Sequence, residues 1–307
     1  MRILVTCPPM LKQIEVYRPI FEEKNIELIA PQVIQVMTED ELIEILPTMD
    51  GWIIGDDPAT ERVFAAGVAG NLKAAVKWGV GVDNIDFEAC KKLGIPIINT
   101  PGMFGNEVSD VAIGIMINLT RKLHDIDREV RKGNWIKPVG NSTIGKKVGI
   151  VGFGDIGLAI GRKLKAFDME IVAYDPNASS QFNIPILNFP EDIESLDYLF
   201  LACALNKSTH HLVNKETLAR LKDTAIIVNV SRGPLIDEKA LIESLETGKF
   251  RGVGLDVFEE EPLSTSSPLV RFDNCFFGSH NGSNTKEAVD KTSHKAIELI
   301  FNFLGVK

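Results

Sequence analysis

Val148-Gly149-Ile150-Val151-Gly152-Phe153-Gly154-Asp155-Ile156-Gly157 is the stretch on which the fold turns. An apolar, β-branched run enters G-x-G-x-x-G, and a helical pattern opens behind it from Leu158 to Phe167. Each glycine has its own steric duty. Gly152 permits a tight turn, Gly154 leaves room for a pyrophosphate against the backbone, and Gly157 lets helix and strand pack closely. The helix start, at Asp155 and Ile156, offers unpaired N–H groups and a positive dipole end to phosphates. The next strand pattern ends in Asp175, about 20 residues beyond the first glycine. A carboxylate there accepts hydrogen bonds from the adenosine ribose hydroxyls and repels a 2′-phosphate, which favours NAD over NADP. The competing reading, an ordinary turn followed by a strand-end cap, leaves the shared register of strand, glycines, helix and acid unexplained.

Around this motif the chain has 307 residues, 45% hydrophobic and 24% charged, the balance of a folded globular protein of about two domains. Its longest nearly uncharged stretch, Val111 to Thr120, is far short of the ~20 apolar residues that cross a bilayer. The N-terminus reads as a short strand without a signal-peptide layout, so a cytoplasmic protein is expected. A net charge of −9 counts against a nucleic-acid partner. It leaves an anionic small molecule open, because a few local cations can reverse the field within a site. Cys7, Cys90, Cys203 and Cys275 lie far apart with no CxxC pair, and reduced structural thiols are expected. No histidine has metal-ligand spacing with a second ligand, so no metal is expected.

The rest of the sequence alternates short β-branched runs with helical patterns, the rhythm of βαβ units and parallel sheets. In the first hundred residues the strands expected are Arg2–Thr6, Gly51–Ile54, Ala74–Lys77 and Pro96–Asn99, with helical patterns over Glu39–Leu46 and Thr60–Ala66. One long amphipathic segment follows, Glu107 to Lys132, with a mostly charged second half. After a connector, Gly133 to Gly145, a second series has strands at Val148–Val151, Glu170–Tyr174, Tyr198–Leu201, Ala225–Val230, Gly252–Asp256 and Cys275–Gly278. A last amphipathic helix runs from Thr285 to Phe303. The fold class expected is α/β: two Rossmann-like, doubly wound parallel-sheet domains with a cleft between them.

Three later segments place reactive side chains just past strands, where open α/β sheets put their ligands. Val228-Asn229-Val230-Ser231-Arg232-Gly233-Pro234-Leu235 ends an apolar strand in an arginine whose planar fork can grip a carboxylate. Leu255-Asp256-Val257-Phe258-Glu259-Glu260-Glu261-Pro262 carries an acidic run, and Gly278-Ser279-His280-Asn281-Gly282 a histidine. Singly each has a plain structural role: a turn arginine, a solvated acidic face, a capping histidine.

In this order behind the dinucleotide motif, they resemble the D-isomer-specific 2-hydroxyacid dehydrogenases. The resemblance runs over almost the whole chain. It rests also on Trp78-Gly79-Val80-Gly81-Val82-Asp83-Asn84-Ile85-Asp86 and on Asn99-Thr100-Pro101-Gly102. It implies an NAD-dependent oxidoreductase moving a hydride between the nicotinamide and C2 of a small D-2-hydroxyacid or 2-keto acid. Arg232 would bind the substrate carboxylate and polarise its keto oxygen. His280 would be the general acid/base, and Glu261 would orient its ring and favour the imidazolium. Asp256 would lie near the nicotinamide amide, and the Val80-Gly81 loop would offer N–H groups to the substrate carboxylate. The resemblance further implies a split substrate domain, 1–100 plus 282–307, and an NAD-binding domain, 101–281. A helical arm at about 101–140 would make a homodimer, or a dimer of dimers.

Substrate choice is the open point. Phosphoglycerate dehydrogenase-like activity is the leading expectation, and reduction of hydroxypyruvate, glyoxylate or another 2-keto acid is the alternative. The place before the glycine loop, where an arginine is common in phosphoglycerate dehydrogenases, holds Trp78 after Lys77, and Asp56-Asp57 bring further negative charge. A non-catalytic NAD-sensing protein is the remote alternative, opposed by the intact Arg232, Glu261 and His280. His124 and His294 suggest no chemistry. His210-His211 admits a contact on the cofactor side.

Overall fold

Every strand-to-strand pairing in the computed structural model, which describes residues 1–307, is parallel. The chain divides into two compact units, Met1–Met103 with Asn284–Lys307, and Phe104–Ser283. The breaks fall at 103/104 and 283/284 rather than at 100/101 and 281/282. Thr100 is still bound into the first unit through Gly79, and Gly282 is held in the second by Asp256.

The first unit is a five-stranded sheet built from β1 (Arg2–Val5), β2 (Glu27–Ile29), β3 (Gly51–Ile54), β4 (Ala74–Lys77) and β5 (Ile97–Asn99), in the order β2-β1-β3-β4-β5. Strands β3 and β4 are buried throughout, which is why they read as continuous apolar runs rather than alternating ones. Helices α1 (Pro8–Leu11), α2 (Ile14–Glu23), α3 (Glu39–Ile45), α4 (Glu61–Ala69) and α5 (Phe87–Leu93) supply the crossovers. Thr38 opens α3 with a reciprocal capping box to Glu41, Thr60 caps α4 and Asp86 caps α5. The closing helix, Lys286–Leu304, packs on β3 and β4. Its Ile300 and Leu304 approach Gly51 so closely that a Cβ there would lie 3.0 Å from the nearest side-chain atom. β2 is an edge strand of three residues, too short to carry a readable periodicity.

The second unit begins with α6 (Gly105–Arg121) and α7 (Leu123–Arg131). The single segment expected over Glu107–Lys132 is thus two helices. Lys122 takes a left-handed conformation, φ 55°, and the side chain of Asn118 receives the His124 backbone N–H, ending the first helix. Helix α6 is part of this unit's core: Ile115 and Leu119 lie against Gly254 and Gly252, where a Cβ would come within 2.1 and 3.2 Å of them. The seven-stranded sheet comprises β6 (Lys147–Val151), β7 (Glu170–Tyr174), β8 (Ile186–Leu187), β9 (Tyr198–Leu201), β10 (Ile226–Asn229), β11 (Gly252–Leu255) and β12 (Cys275–Phe277), ordered β12-β11-β10-β9-β6-β7-β8. Helices α8 (Asp155–Lys165), α9 (Lys215–Arg220) and α10 (Glu238–Glu246) complete it. β8, a two-residue edge strand, falls outside the expected set. No helix is long and apolar enough to cross a membrane.

Asp50 joins the amino ends of three strands in the first unit. Its carboxylate accepts from the Arg2 backbone N–H at 2.8 Å and from Lys73 Nζ at 2.7 Å. Burial would raise its pKa, yet Lys73, the Arg2 N–H and the nearby N-terminus together hold it below the ordinary aspartate value. A group depressed on folding contributes stability above its unfolded pKa and loses it as pH falls through the folded one. Asp50→Asn is therefore expected to lower stability near neutral pH by about 1 kcal/mol in urea unfolding. The difference from the parent should vanish as pH falls below the carboxylate range.

Candidate active site

In the second unit the sheet's order reverses between β6 and β9, and the glycine motif sits on that reversal. Gly152 has φ 87°, and a Cβ on it would lie 2.5 Å from the Cys203 backbone beyond β9. Gly157, in the first turn of α8, is so close to the strand end that a Cβ would meet the Gly152 carbonyl at 1.9 Å. Gly154 is different: nothing lies within 4 Å of its virtual Cβ. Two glycines are consumed by packing and the third leaves an open approach to the α8 N-terminus. This is the shape a pyrophosphate needs. Asp175, beyond β7, accepts the Phe153 N–H at 2.8 Å and the Asn177 N–H at 2.9 Å. Its carboxylate thus anchors the glycine turn, a duty additional to the ribose contact expected of it.

Arg232 follows β10, and its segment is held by Asn229, whose side chain accepts the Ser231 N–H and donates to the Arg232 carbonyl. Ser231 Oγ donates to the Cys203 carbonyl at 2.5 Å, tying this loop to the one beside Gly152. Gly233 is indispensable here, since its virtual Cβ would fall 1.9 Å from the Phe258 carbonyl carbon. Glu261, on the loop after β11, accepts the Phe258 N–H through Oε1 at 3.0 Å and meets His280 Nδ1 through Oε2 at 2.8 Å. The sequence separation of these two residues, 19, hides the pairing from any local pattern. With Nδ1–H given to the carboxylate, Nε2 is the ring atom that would serve a substrate.

His280 has φ 53°, an uncommon conformation for a residue other than glycine. Asp256 holds it. The Asp256 carbonyl accepts the His280 N–H, and the carboxylate accepts the Asn281 N–H at 3.2 Å and the Gly282 N–H at 2.9 Å. Burial raises the Asp256 pKa, against these two N–H groups and the charge of His280. Sequence reasoning assigns Asp256 to the nicotinamide side; both its oxygens are engaged in fastening the histidine loop. Asn281 enters that contact through its backbone.

In the first unit, the Gly79 N–H donates to Thr100 Oγ1 and the Val80 carbonyl accepts from Asn99 Nδ2. These bonds fix the loop while leaving the Val80 and Gly81 N–H groups without an acceptor in the chain. Trp78 is a buried aromatic, its indole N–H donating to Ser293 Oγ on the closing helix at 3.1 Å. Lys77, only 2% exposed, donates to the Gly55 carbonyl and to Asp56 Oδ1, the latter at 2.8 Å. Asp57 is fully buried, hydrogen-bonded to Thr6, the Met37 N–H and the Gly55 N–H, and burial raises its pKa. His211 pairs with Glu259, a partner that the sequence does not suggest. All four thiols are free.

The profile of the D-isomer-specific 2-hydroxyacid dehydrogenase NAD-binding domain matches residues 113–282. The chain belongs to this family. It is an NAD-dependent oxidoreductase of 2-hydroxyacids, and its second unit contains the family's NAD-binding domain. Along 305 residues it is 34% identical to a hydroxypyruvate reductase of Thermotoga maritima, covering 96% of this chain and 99% of that protein. It is also 34% identical over 294 residues to a D-3-phosphoglycerate dehydrogenase of Methanocaldococcus jannaschii. That match covers 94% of this chain but 54% of the relative, so the chain spans about half the length of that enzyme. A solved structure from Thermus thermophilus superposes with a TM-score of 0.89 at 28% identity, over 99% of this chain and 97% of the other.

The glycine geometry gives a paired test. Gly154→Ala is expected to unfold at the temperature of the parent while weakening NADH binding about tenfold in a fluorescence titration, since only the ligand's space is filled. Gly157→Ala should lower the melting temperature as well, because its Cβ meets backbone.

Proposed function

We propose that this chain reduces a small, unphosphorylated 2-keto acid such as hydroxypyruvate or glyoxylate, with NADH as the reductant. The observation that carries this is the state of Lys77. The sheet of the first unit reverses its order between β1 and β3, and Lys77 lies beside that reversal, just before the Val80-Gly81 loop. Its charge is already committed to the Gly55 carbonyl and Asp56, with Asp57 adjacent. The unit's arginines, Arg2, Arg18 and Arg62, are paired with surface carboxylates. A phosphate dianion there would meet balanced or negative charge and lose its hydration without compensation. A hydroxyl or hydrogen at C3 carries no such cost. The full-length similarity to a hydroxypyruvate reductase supports the same choice. D-3-phosphoglycerate is the rival substrate.

The proposed chemistry gives each candidate group one role. The bound dinucleotide supplies the hydride that C2 receives. Arg232, by this reading, grips the carboxylate and the keto oxygen with its guanidinium, drawing electron density from C2. In the first unit, the Val80 and Gly81 N–H groups are the candidate donors to a carboxylate oxygen. His280 gives the proton on Nε2 to the keto oxygen as C2 becomes tetrahedral, and Glu261 balances the imidazolium charge before transfer and holds the ring in one tautomer. In the oxidative direction His280 removes the hydroxyl proton. The two other finer expectations are a homodimer and a cytoplasmic site of action. Exposed Leu123, Val130, Trp135, Val139 and Ile144, all in or just beyond the segment 101–140, support a second copy of the chain as their cover. Four free thiols support a reducing compartment.

NADH oxidation with hydroxypyruvate, glyoxylate, pyruvate and phosphohydroxypyruvate tests the substrate. The specificity constant is expected to be highest for an unphosphorylated acid, and Asp56→Asn should narrow the gap by releasing Lys77. Preference for phosphohydroxypyruvate in the parent would reject the substrate assignment while leaving the dehydrogenase intact.

A further inference from the structure

The loop that carries Glu261 is closed by one internal hydrogen bond, from the Phe258 N–H to Glu261 Oε1. Residues 258–261 form no helix or strand, and they crowd three consecutive carboxylates, Glu259, Glu260 and Glu261. Glu261 meets His280, but a second carboxylate–histidine contact lies two residues before it. Glu259 Oε1 is 2.7 Å from His211 Nε2 and accepts the Glu238 backbone N–H at 3.2 Å. In return the Glu259 N–H donates to Glu238 Oε2 at 3.3 Å. The His211 N–H donates to the Pro234 carbonyl at 2.8 Å, in the segment that follows Arg232. His211 therefore ties the acid loop to the arginine segment, and its partner Glu259 ties that loop to the start of α10.

We infer that His211 and Glu259 are positioning residues for the reaction, a strap that holds the Glu261 carboxylate against His280 Nδ1. The inference rests on the proposed acid–base role of His280. Three features carry it. His211 adopts φ 50°, a conformation that a histidine keeps only where its surroundings fix it. Its ring lies against that of His210, with centroids 4.0 Å apart, so it has little freedom to turn away. Of the other titratable groups, Glu238 is hydrogen-bonded to Glu259, His210 is stacked on His211 and Glu260 acts through its charge on Glu238; burial first, then the charges of Glu259 and Glu260, raise the Glu238 pKa against the Glu259 N–H. His211 is thus the basic side chain holding this acidic run in place. Without it, carboxylate repulsion would loosen residues 258–261, and Glu261 would be released from His280 with them. The contact also gives His211 a partner other than the dinucleotide.

His211→Ala, His211→Asn and Glu259→Gln in the full-length enzyme test the strap, beside His280→Ala. Loss of the strap weakens support for the imidazolium, so the alkaline limb of kcat for keto-acid reduction should move to lower pH. His211→Ala is expected to lower kcat about tenfold while leaving the Kd for NADH within about twofold. His211→Asn, which keeps an N–H donor and tolerates positive φ, should recover most of the loss. Glu259→Gln preserves shape and removes charge, so it decides the matter if His211→Ala fails to fold, and it should shift the limb the same way. Unchanged kcat and pH profiles in His211→Ala, or in Glu259→Gln where the first variant does not fold, would overturn the strap, as would a manyfold rise in the Kd for NADH. Full activity in His280→Ala would instead reject the acid–base reading on which the strap depends.

Discussion

Parallel strand pairing is the constraint from which the rest follows. A parallel pair cannot be closed by a hairpin, so each connection returns by a crossover and every strand of a sheet ends on the same edge. In the second unit that edge collects Gly152 after β6, Asp175 after β7, Cys203 after β9, Arg232 after β10, Asp256 after β11 and His280 after β12. In the first it collects Thr6, Gly55, Lys77 and Thr100. Residues far apart in sequence become neighbours because the sheet sorts them, with no need for a local motif.

What the sheet brings together, buried polar groups then hold. Asp256 fastens the histidine loop, Asn229 the arginine segment, Asp175 the glycine turn and Asp57 the strand ends of the first unit. Each is a short side chain, Asp or Asn, satisfying backbone groups that a loop would otherwise leave unpaired. The arrangement keeps His280 at a positive φ, and it fixes the tautomer through Glu261. Rigid support of this kind suits the proton-donor role proposed for His280, since a donor's usefulness depends on reach and direction before acidity.

Much of this is legible from residues. The second strand series reads to within a residue at its ends, because strands covered on both faces are apolar runs bounded by glycine and acid. The glycine motif is readable because each position has its own steric requirement. The losses have physical reasons. β2 and β8 are edge strands too short to show a pattern. The break at Lys122 depends on a side chain that gives no sign of positive φ. Asp256 also anchors the Asn281 and Gly282 N–H groups, a backbone duty that spacing alone does not reveal. The pairing of His211 with Glu259 spans 48 positions and is visible only once the sheet is assembled. Trp78 is buried, its indole N–H bonded to Ser293 on the closing helix, a long-range contact with no local sequence signal.

The proposed function rests on His280 protonating a 2-keto oxygen as C2 takes a hydride, with the D isomer as product. A single-turnover reaction of the enzyme–NADH complex with hydroxypyruvate, followed by chiral chromatography of the glycerate, tests it most directly when the parent and His280→Gln are compared. D-glycerate is expected from the parent, and a rate lower by about a thousandfold in the variant, with NADH still bound. L-glycerate, or a variant that turns over at the parental rate, would contradict it.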